Sequence, residues 1–357
     1  MPAKVFLMAG GGTGGHVIPL LAVARELKQR GHEAFFVGTV RGVEARLVPA
    51  AGFHLELIEI GGLKRVGVRQ TLATLAQLPW STLRMMKLLC RRRTAAVFSM
   101  GGYAAGPPVA AALALGKPVV VMEPNAVPGF TNRRIGHFVA RALVSFPETS
   151  RYFPRGRTEL TGLPVREEFF KIYPKAHQSV FTLLVTGGSQ GSRTLNHAAR
   201  DSWPLFRESS FPVRFILQTG RTGFEELQKE FSASGLEGEV RAFIDDMPAA
   251  FASADLIVCR SGAGAVAELA AAGKPSVLVP FPYAADDHQL HNAEAFERAG
   301  AARMVLDRDF NGEKLYEIVT ALAADTAALD RLGNQARGFA QPAAARRAAE
   351  ILEQTAR

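Results

Sequence analysis

Twice in 357 residues, at Gly10 and again at Gly187, a short apolar run breaks into glycines and gives way to a longer helical stretch. A glycine-rich turn between a strand and a helix, set in a chain that alternates short β-branched runs with Ala/Leu-rich segments, is the rhythm of a parallel sheet covered by helices. In the first half the strands fall at residues 5–9, 34–38, 97–100, 119–122 and 142–145, with helices at 17–30 and near 42–51. The pattern restarts with a strand at 181–186 and continues with strands at 215–219, 240–242, 256–259 and 276–279. Residues 343–355 carry an amphipathic helical pattern. The expected fold class is α/β, two Rossmann-like domains in series, joined where Gly and Pro punctuate Leu160-Thr161-Gly162-Leu163-Pro164.

Composition narrows the class of partner. Lysine and arginine number 42 against 33 acidic residues, a net charge of +9 that favours nucleic acid, phosphorylated metabolites or acidic lipid. Nucleic acid is set aside, because no aromatic–basic repeat or recognisable binding motif accompanies the charge. The two cysteines, Cys90 and Cys259, have no metal-like spacing and read as small buried hydrophobes. Residues 1–9 form too short an apolar run for a signal peptide and read as a first strand.

Chemistry concentrates where strands run into loops, the edge at which open α/β sheets bind ligands. Gly10-Gly11-Gly12-Thr13-Gly14-Gly15-His16 opens the first helix, a place suited to an anion, yet the second strand ends Phe36-Val37-Gly38-Thr39 without the acid a dinucleotide ribose needs. His16, in the first helical turn, is placed to accept a proton or to hydrogen-bond a ligand. Gly187-Gly188-Ser189-Gln190-Gly191 is the matching opening, with N–H groups and the Ser189 hydroxyl available to a diphosphate. Taken singly, each opening is also what a plain tight turn looks like. Glu268, in the segment Arg260–Glu268, can take two hydrogen bonds from a ribose diol or simply favour the helix dipole. The loop from Pro280 to Gln289 is polar and lies at the same edge, as do Glu123, Asn125 and Met100-Gly101-Gly102-Tyr103.

Read in order, Gly11–His16, Gly101-Gly102-Tyr103, Glu123-Pro124-Asn125-Ala126, Thr161–Arg166, Gly187–Gly191, Phe243-Ile244-Asp245-Asp246-Met247, Arg260–Glu268 and Asp287–Gln289 resemble the MurG family. These are bacterial transferases that move N-acetylglucosamine from UDP-GlcNAc onto lipid I to make lipid II for peptidoglycan. The resemblance runs from the first strand to at least Asn292. It implies the GT-B glycosyltransferase fold, with two Rossmann-like domains facing a cleft. Residues 1–162 would form the acceptor and membrane-facing domain, 163–340 the UDP-GlcNAc domain, and 341–357 a helix packing back on the first. By the same resemblance Ser189 and its glycines meet the diphosphate, Arg166 adds a cation, Ile244 offers its backbone to uracil and Glu268 holds the ribose, in the stretch Ala263, Gly264, Ala265, Val266, Ala267 and Glu268. Gln289 and Asn125 read the sugar, Thr13, Gly14 and Gly15 line the cleft, and Gly102 and Tyr103 form an acceptor loop. The chain departs from the family at Ala265 and Ala267, where Thr and Ser are common, and at His288, where some members have a second glutamine.

The implied reaction is an inverting displacement by a hexosyltransferase, the C4 hydroxyl of the muramyl sugar attacking the anomeric carbon as UDP leaves. His16 is the first candidate for the base, and Glu123 is the alternative or a partner that orients it. No Asp-x-Asp motif accompanies the phosphate openings, so no metal site and no obligatory cofactor are expected. Backbone N–H groups, the helix dipole and Arg166 would steady the leaving diphosphate. A UDP-GlcNAc 2-epimerase of the same fold and a non-catalytic UDP-sugar-binding subunit are the competing readings. Residues 63–93 add a membrane expectation. They carry Lys64, Arg65, Arg69, Arg84, Lys87, Arg91, Arg92 and Arg93 with no acid, interleaved with Leu72, Leu75, Leu78, Trp80, Leu83, Met85, Met86, Leu88 and Leu89. The apolar residues either pack into the core or lie on an anionic leaflet, at the cytoplasmic face where a polyprenyl-linked acceptor would be met.

Overall fold

The structure, a computed structural model, describes residues 2–11, 14–40, 42–58, 68–176 and 179–356, the side chains at 68–76 and 103 excepted. The chain divides into two compact units, one of Met1–Pro164 with Ala343–Arg357 and one of Val165–Pro342. Among the described residues the first unit holds seven strands, β1 (Val5–Gly10), β2 (Glu33–Gly38), β3 (His54–Leu57), β4 (Ala96–Gly101), β5 (Val119–Glu123), β6 (Arg141–Val144) and β7 (Thr158–Leu160), in the order β3-β2-β1-β4-β5-β6-β7. The second holds β8 (Phe181–Thr186), β9 (Val213–Gln218), β10 (Glu237–Arg241), β11 (Leu256–Cys259), β12 (Ser276–Leu278) and β13 (Arg303–Met304), in the order β10-β9-β8-β11-β12-β13. Every pairing in both sheets is parallel.

The central strands are buried along almost their whole length, as in Val119–Glu123 and Phe181–Thr186, because helices cover both faces of each sheet. Each unit has its own core. One gathers Leu7, Phe35, Leu89, Val97 and Val121, and the other gathers Leu183, Trp203, Phe206, Phe215 and Leu256. The helix Arg193–Glu208 shows how sequence produces this. Ser192 caps its first turn, and Leu195, Ala198, Ala199, Ser202, Trp203 and Phe206 recur at helical spacing to form the buried stripe.

The strand order reverses direction twice, between β1 and β4 and between β8 and β11. A crevice opens beyond the strand ends at such a point, and the loops leaving those four strands are the glycine-rich and Glu268-bearing segments.

The helix Ala344–Thr355 packs on the helix Gly14–Gln29 and against β4 and β6 of the first unit. Its apolar face, with Ala348, Ala349, Ile351 and Leu352, is buried. Lys4 Nζ donates to the Ala356 carbonyl (2.8 Å) at the end of that helix, where a cation meets the unfilled carbonyls. Arg30 reaches Glu350 and Glu353, His32 Nε2 lies 2.8 Å from Glu353, and Arg347 pairs with Glu159.

Candidate active site

In the first unit the β1 and β4 loops come together at His16. The ring Nδ1 lies 3.2 Å from the Gly11 carbonyl, which can only accept, so Nδ1 carries the hydrogen and Nε2 has the lone pair in the neutral ring. Gly101 ends β4 and Gly102 follows it, at φ +77° and +80°, and a Cβ on Gly102 would lie 3.6 Å from His16 Nδ1. Left-handed glycines therefore bring this loop against the imidazole. Gly14 and Gly15 form the first turn of the helix beneath it. Thr13 lies outside the described residues, and so does the side chain of Tyr103.

Glu123 is the last residue of β5. It is buried, and its two oxygens accept four hydrogen bonds. Oε1 takes the Asn125 N–H and Nδ2, and Oε2 takes the Gly129 N–H and Asn132 Nδ2. Burial raises its carboxyl above the ordinary carboxylate range, and these four bonds pull against that rise. His16 is not among its partners, so Glu123 does not orient the imidazole by direct contact. It pins the segment 123–132, and Asn132 in turn lies against Gly101. Asn125 Nδ2 is engaged with Glu123, and Asn125 O accepts from Thr149 Oγ1.

Glu44 is a further buried acid of this unit that motif reading passes over. Thr39 donates to it through N–H (2.9 Å) and Oγ1 (3.1 Å). A Cβ on Gly11, Gly38 or Gly42 would lie 2.5, 2.3 or 2.1 Å from Glu44 side-chain atoms, so three separated glycines make room for one carboxylate beside the first opening. Its only sequence signal is an acid at the start of a helix.

In the second unit the loops after β8 and β11 meet. Ser189 is exposed on the loop, and the residue that caps the helix is Ser192, whose Oγ accepts from Leu195 N–H (3.3 Å) and from Arg260 (2.7 Å). Arg260 also pairs with Asp307, which accepts from Thr194 Oγ1. Ser192→Ala is expected to cost about 1 kcal/mol of unfolding free energy by loss of the cap, read from urea denaturation.

Glu268 stands in the second turn of the helix Ala263–Ala272. Burial pushes its carboxyl up to about 7, and Arg166, 4.0 Å away, pulls it back. Arg166 also lies over the Phe169 ring. Ala263, Gly264, Ala265 and Ala267 are half-buried, and a Cβ on Gly264 meets nothing within 4 Å, so open space adjoins this turn. Val266 is the exception, a core residue at 3% exposure. Gln289 joins the cluster: its Oε1 accepts from Phe281 N–H (3.0 Å), its carbonyl accepts from Ser261 Oγ (2.7 Å), and its Nε2 lies 4.0 Å from a Gly262 Cβ position. The loop before it holds Asp286 and Asp287 at φ +54° and +51°, two adjacent strained residues of the kind that gather at functional sites. Ile244 is buried, and its N–H is engaged by Gln218 Oε1 at 2.9 Å, so its backbone does not stand ready with both donor and acceptor. Among the described residues no group of His, Cys, Asp and Glu is arranged to hold a metal ion.

The basic helix Val68–Arg91 divides its apolar residues between two jobs. Met85, Leu88 and Leu89 are core residues, which corrects the expectation that they face a membrane. Trp80 and Leu83 are 74% and 53% exposed, and they share a helical face with Arg84, Lys87 and Arg91, all exposed. Arg91 also comes within 3.8 Å of Glu56, and Arg92 pairs with Glu33 and Glu56. Lys64 and Arg65 lie outside the described residues, as do the side chains of Arg69, Leu72 and Leu75. No described helix is long and apolar enough to cross a membrane.

Known proteins share this arrangement. The glycosyltransferase family 28 N-terminal domain matches residues 6–144 and the family's C-terminal domain matches 182–350. The UDP-N-acetylglucosamine–N-acetylmuramyl-(pentapeptide) pyrophosphoryl-undecaprenol N-acetylglucosamine transferase of Solibacter usitatus is 66% identical over 355 residues, 99% of this chain and 97% of its own. The Myxococcus xanthus protein of the same name is 40% identical over 97% of this chain and 91% of its own. The crystal structure of Acinetobacter baumannii MurG superposes with a TM-score of 0.84 at 32% identity, covering 98% of this chain and 99% of that one. The UDP-GlcNAc 2-epimerase of Neisseria meningitidis shares the fold, with a TM-score of 0.66 at 14% identity over 98% of this chain and all of its own.

Proposed function

The chain belongs to glycosyltransferase family 28 and is a GT-B transferase moving N-acetylglucosamine from UDP-GlcNAc onto lipid I to give lipid II, and we propose that its two loop clusters divide that work. The observation that carries the division is the clustering of functional loops at both strand-order reversals, around His16 in one unit and around Glu268 in the other.

In the second unit Glu268 takes the ribose hydroxyls, Arg166 beside it adds positive charge, and the 187–191 loop with Ser189 meets the diphosphate ahead of the helix capped by Ser192. Gln289 reads the sugar with its amide nitrogen. In the first unit His16 Nε2 takes the proton of the attacking C4 hydroxyl, as its Nδ1–H is turned to Gly11. Glu123 keeps its four hydrogen bonds and holds the Asn125 and Gly101-Gly102 segments in place. Asn125 joins Gln289 in reading the transferred sugar, Thr13, Gly14 and Gly15 line the substrate side of this unit, and Gly102 and Tyr103 form the acceptor loop. UDP departs with its charge met by N–H groups, the helix dipole and Arg166, and the scheme requires no metal.

Incubation with labelled UDP-GlcNAc and a lipid I analogue tests the reading: a β-linked disaccharide product is expected only when both are present. Turnover of UDP-GlcNAc alone to a second sugar nucleotide would assign the chain to the epimerases instead.

The acceptor's lipid chain brings the enzyme to the membrane. Trp80 and Leu83, with Arg84, Lys87 and Arg91 on one helical face, fit an anionic leaflet at the cytoplasmic side, each basic residue adding about 1 kcal/mol there. Changing Arg84, Lys87 and Arg91 to Glu is expected to weaken salt-sensitive sedimentation with anionic vesicles. Equal sedimentation of both proteins at low salt would count against this surface.

A further inference from the structure

Gln218 is the last residue of β9, the strand that pairs with β8 on one side and β10 on the other. In register it stands opposite Thr186 and Arg241, so the 187–191 loop leaves the sheet on one flank and the 242–246 segment on the other. The side chain is 1% exposed and fully engaged. Its Nε2 donates to Thr186 Oγ1 (3.1 Å) and to the Gly188 carbonyl (2.9 Å), and its Oε1 accepts the Ile244 N–H (2.9 Å). The two anchors reinforce one another. Gly188 N–H also donates to Thr186 Oγ1, and Gly191 N–H returns to the Gly188 carbonyl. One planar amide thus fixes the turn of the glycine loop with its nitrogen and the turn of the Phe243–Ile244 peptide with its oxygen. Because that peptide is planar and trans, the Phe243 carbonyl points away from Gln218, opposite to the Ile244 N–H.

We propose that Gln218 is a positioning residue that sets the spacing between a base-reading segment at 243–246 and a diphosphate-reading loop at 187–191, and so makes the site selective for a uridine diphosphate. This rests on the reading of the second unit as the nucleotide-sugar site. A rigid tie between two subsites makes the nucleoside and diphosphate contributions interdependent, because a ligand gains from both only if their separation is already right. A carbonyl held in that direction accepts a hydrogen bond from the N3–H of uracil, whereas cytosine offers an unprotonated N3 there.

Two substitutions separate the halves. Gln218→Glu keeps an oxygen for the Ile244 N–H and removes the donor to the Gly188 carbonyl. Gln218→Met fills the space and removes both ties. Calorimetry with UDP, uridine and CDP gives two ratios for each protein, UDP over uridine and UDP over CDP. Gln218→Glu is expected to lower the first ratio by about 10-fold and preserve the second, and Gln218→Met to lower both by about 10-fold, the effect of one buried hydrogen bond on each subsite. Circular dichroism and thermal melting verify that each variant is folded. Folded variants that lose affinity for all three ligands equally, with both ratios intact, would reduce Gln218 to a structural residue and overturn the proposal. Absence of UDP binding by the unmodified protein would instead refute the nucleotide site itself.

Discussion

His16→Ala is expected to lower kcat by about 10²–10⁴-fold, the usual contribution of a positioned general base, while the affinity for UDP-GlcNAc changes little. The split follows from where the residues stand. His16 belongs to the first unit, and the proposed ribose, diphosphate and base contacts all belong to the second. The imidazole is oriented by Nδ1 toward the Gly11 carbonyl, which puts the basic lone pair of the neutral ring on Nε2. The kcat–pH profile of the unmodified enzyme is expected to carry an acid limb from protonation of the base, and that limb is expected to vanish in the variant. Steady-state rates over a pH series, with donor binding measured separately, check both statements. Near-normal turnover by His16→Ala would move the base elsewhere. Glu123 would be a poor second choice, since four donors already occupy its carboxylate.

Glu268→Ala is expected to weaken UDP by roughly 10- to 150-fold, the value of charge-assisted hydrogen bonds worth about 1.5–3 kcal/mol. The titration of this acid adds a pH signature. In the unliganded protein its carboxyl is raised from 4.5 to about 7, so near neutrality part of the population carries a proton. Ribose hydroxyls donate to the carboxylate, hence affinity should rise with pH through about 7 and level off above it. Uridine is the cleaner probe, having no ionising group of its own near neutrality. Gln at this position should bind more weakly than Glu at high pH and show no such rise. Stability moves the other way. The folded state holds this proton more tightly than the unfolded chain, so the stabilisation is complete below 4.5 and is lost as pH rises through about 7. Glu268→Gln should therefore gain stability relative to the parent on the alkaline side, read as a shift in melting temperature. Unchanged UDP affinity in Glu268→Ala would remove this residue from the site.

Strands that are buried on both faces announce themselves as apolar runs, which is why β1, β5, β8 and β11 are visible in the sequence. The short edge strands are not. His54–Leu57, Thr158–Leu160 and Arg303–Met304 each end a sheet or lie at its rim and carry charged or polar residues that water tolerates. The site divides in the same way. Glycine clusters and Glu268 stand next to one another in the chain and can be read directly. The Ser192–Arg260 and Gln218–Ile244 contacts join positions 68 and 26 residues apart, and only the pairing of strands brings them together. The resemblance assigned a role to Val266 as part of a contiguous run, whereas helical geometry turns that one side chain into the core.

The helix Ala344–Thr355 has a bearing on how the protein is made. The second unit is continuous in sequence, but the first is interrupted by all of it and receives its final helix only afterwards. During synthesis the seven strands of the first unit emerge early, while the partners of Lys4, Arg30 and His32 at Glu350, Glu353 and Ala356 are still to be translated. The early product is thus a nearly complete sheet domain with an apolar strip waiting for Ala348, Ile351 and Leu352, an exposure that ribosome-associated chaperones are suited to cover. The second unit, by contrast, has all its strands in hand before that strip is sealed.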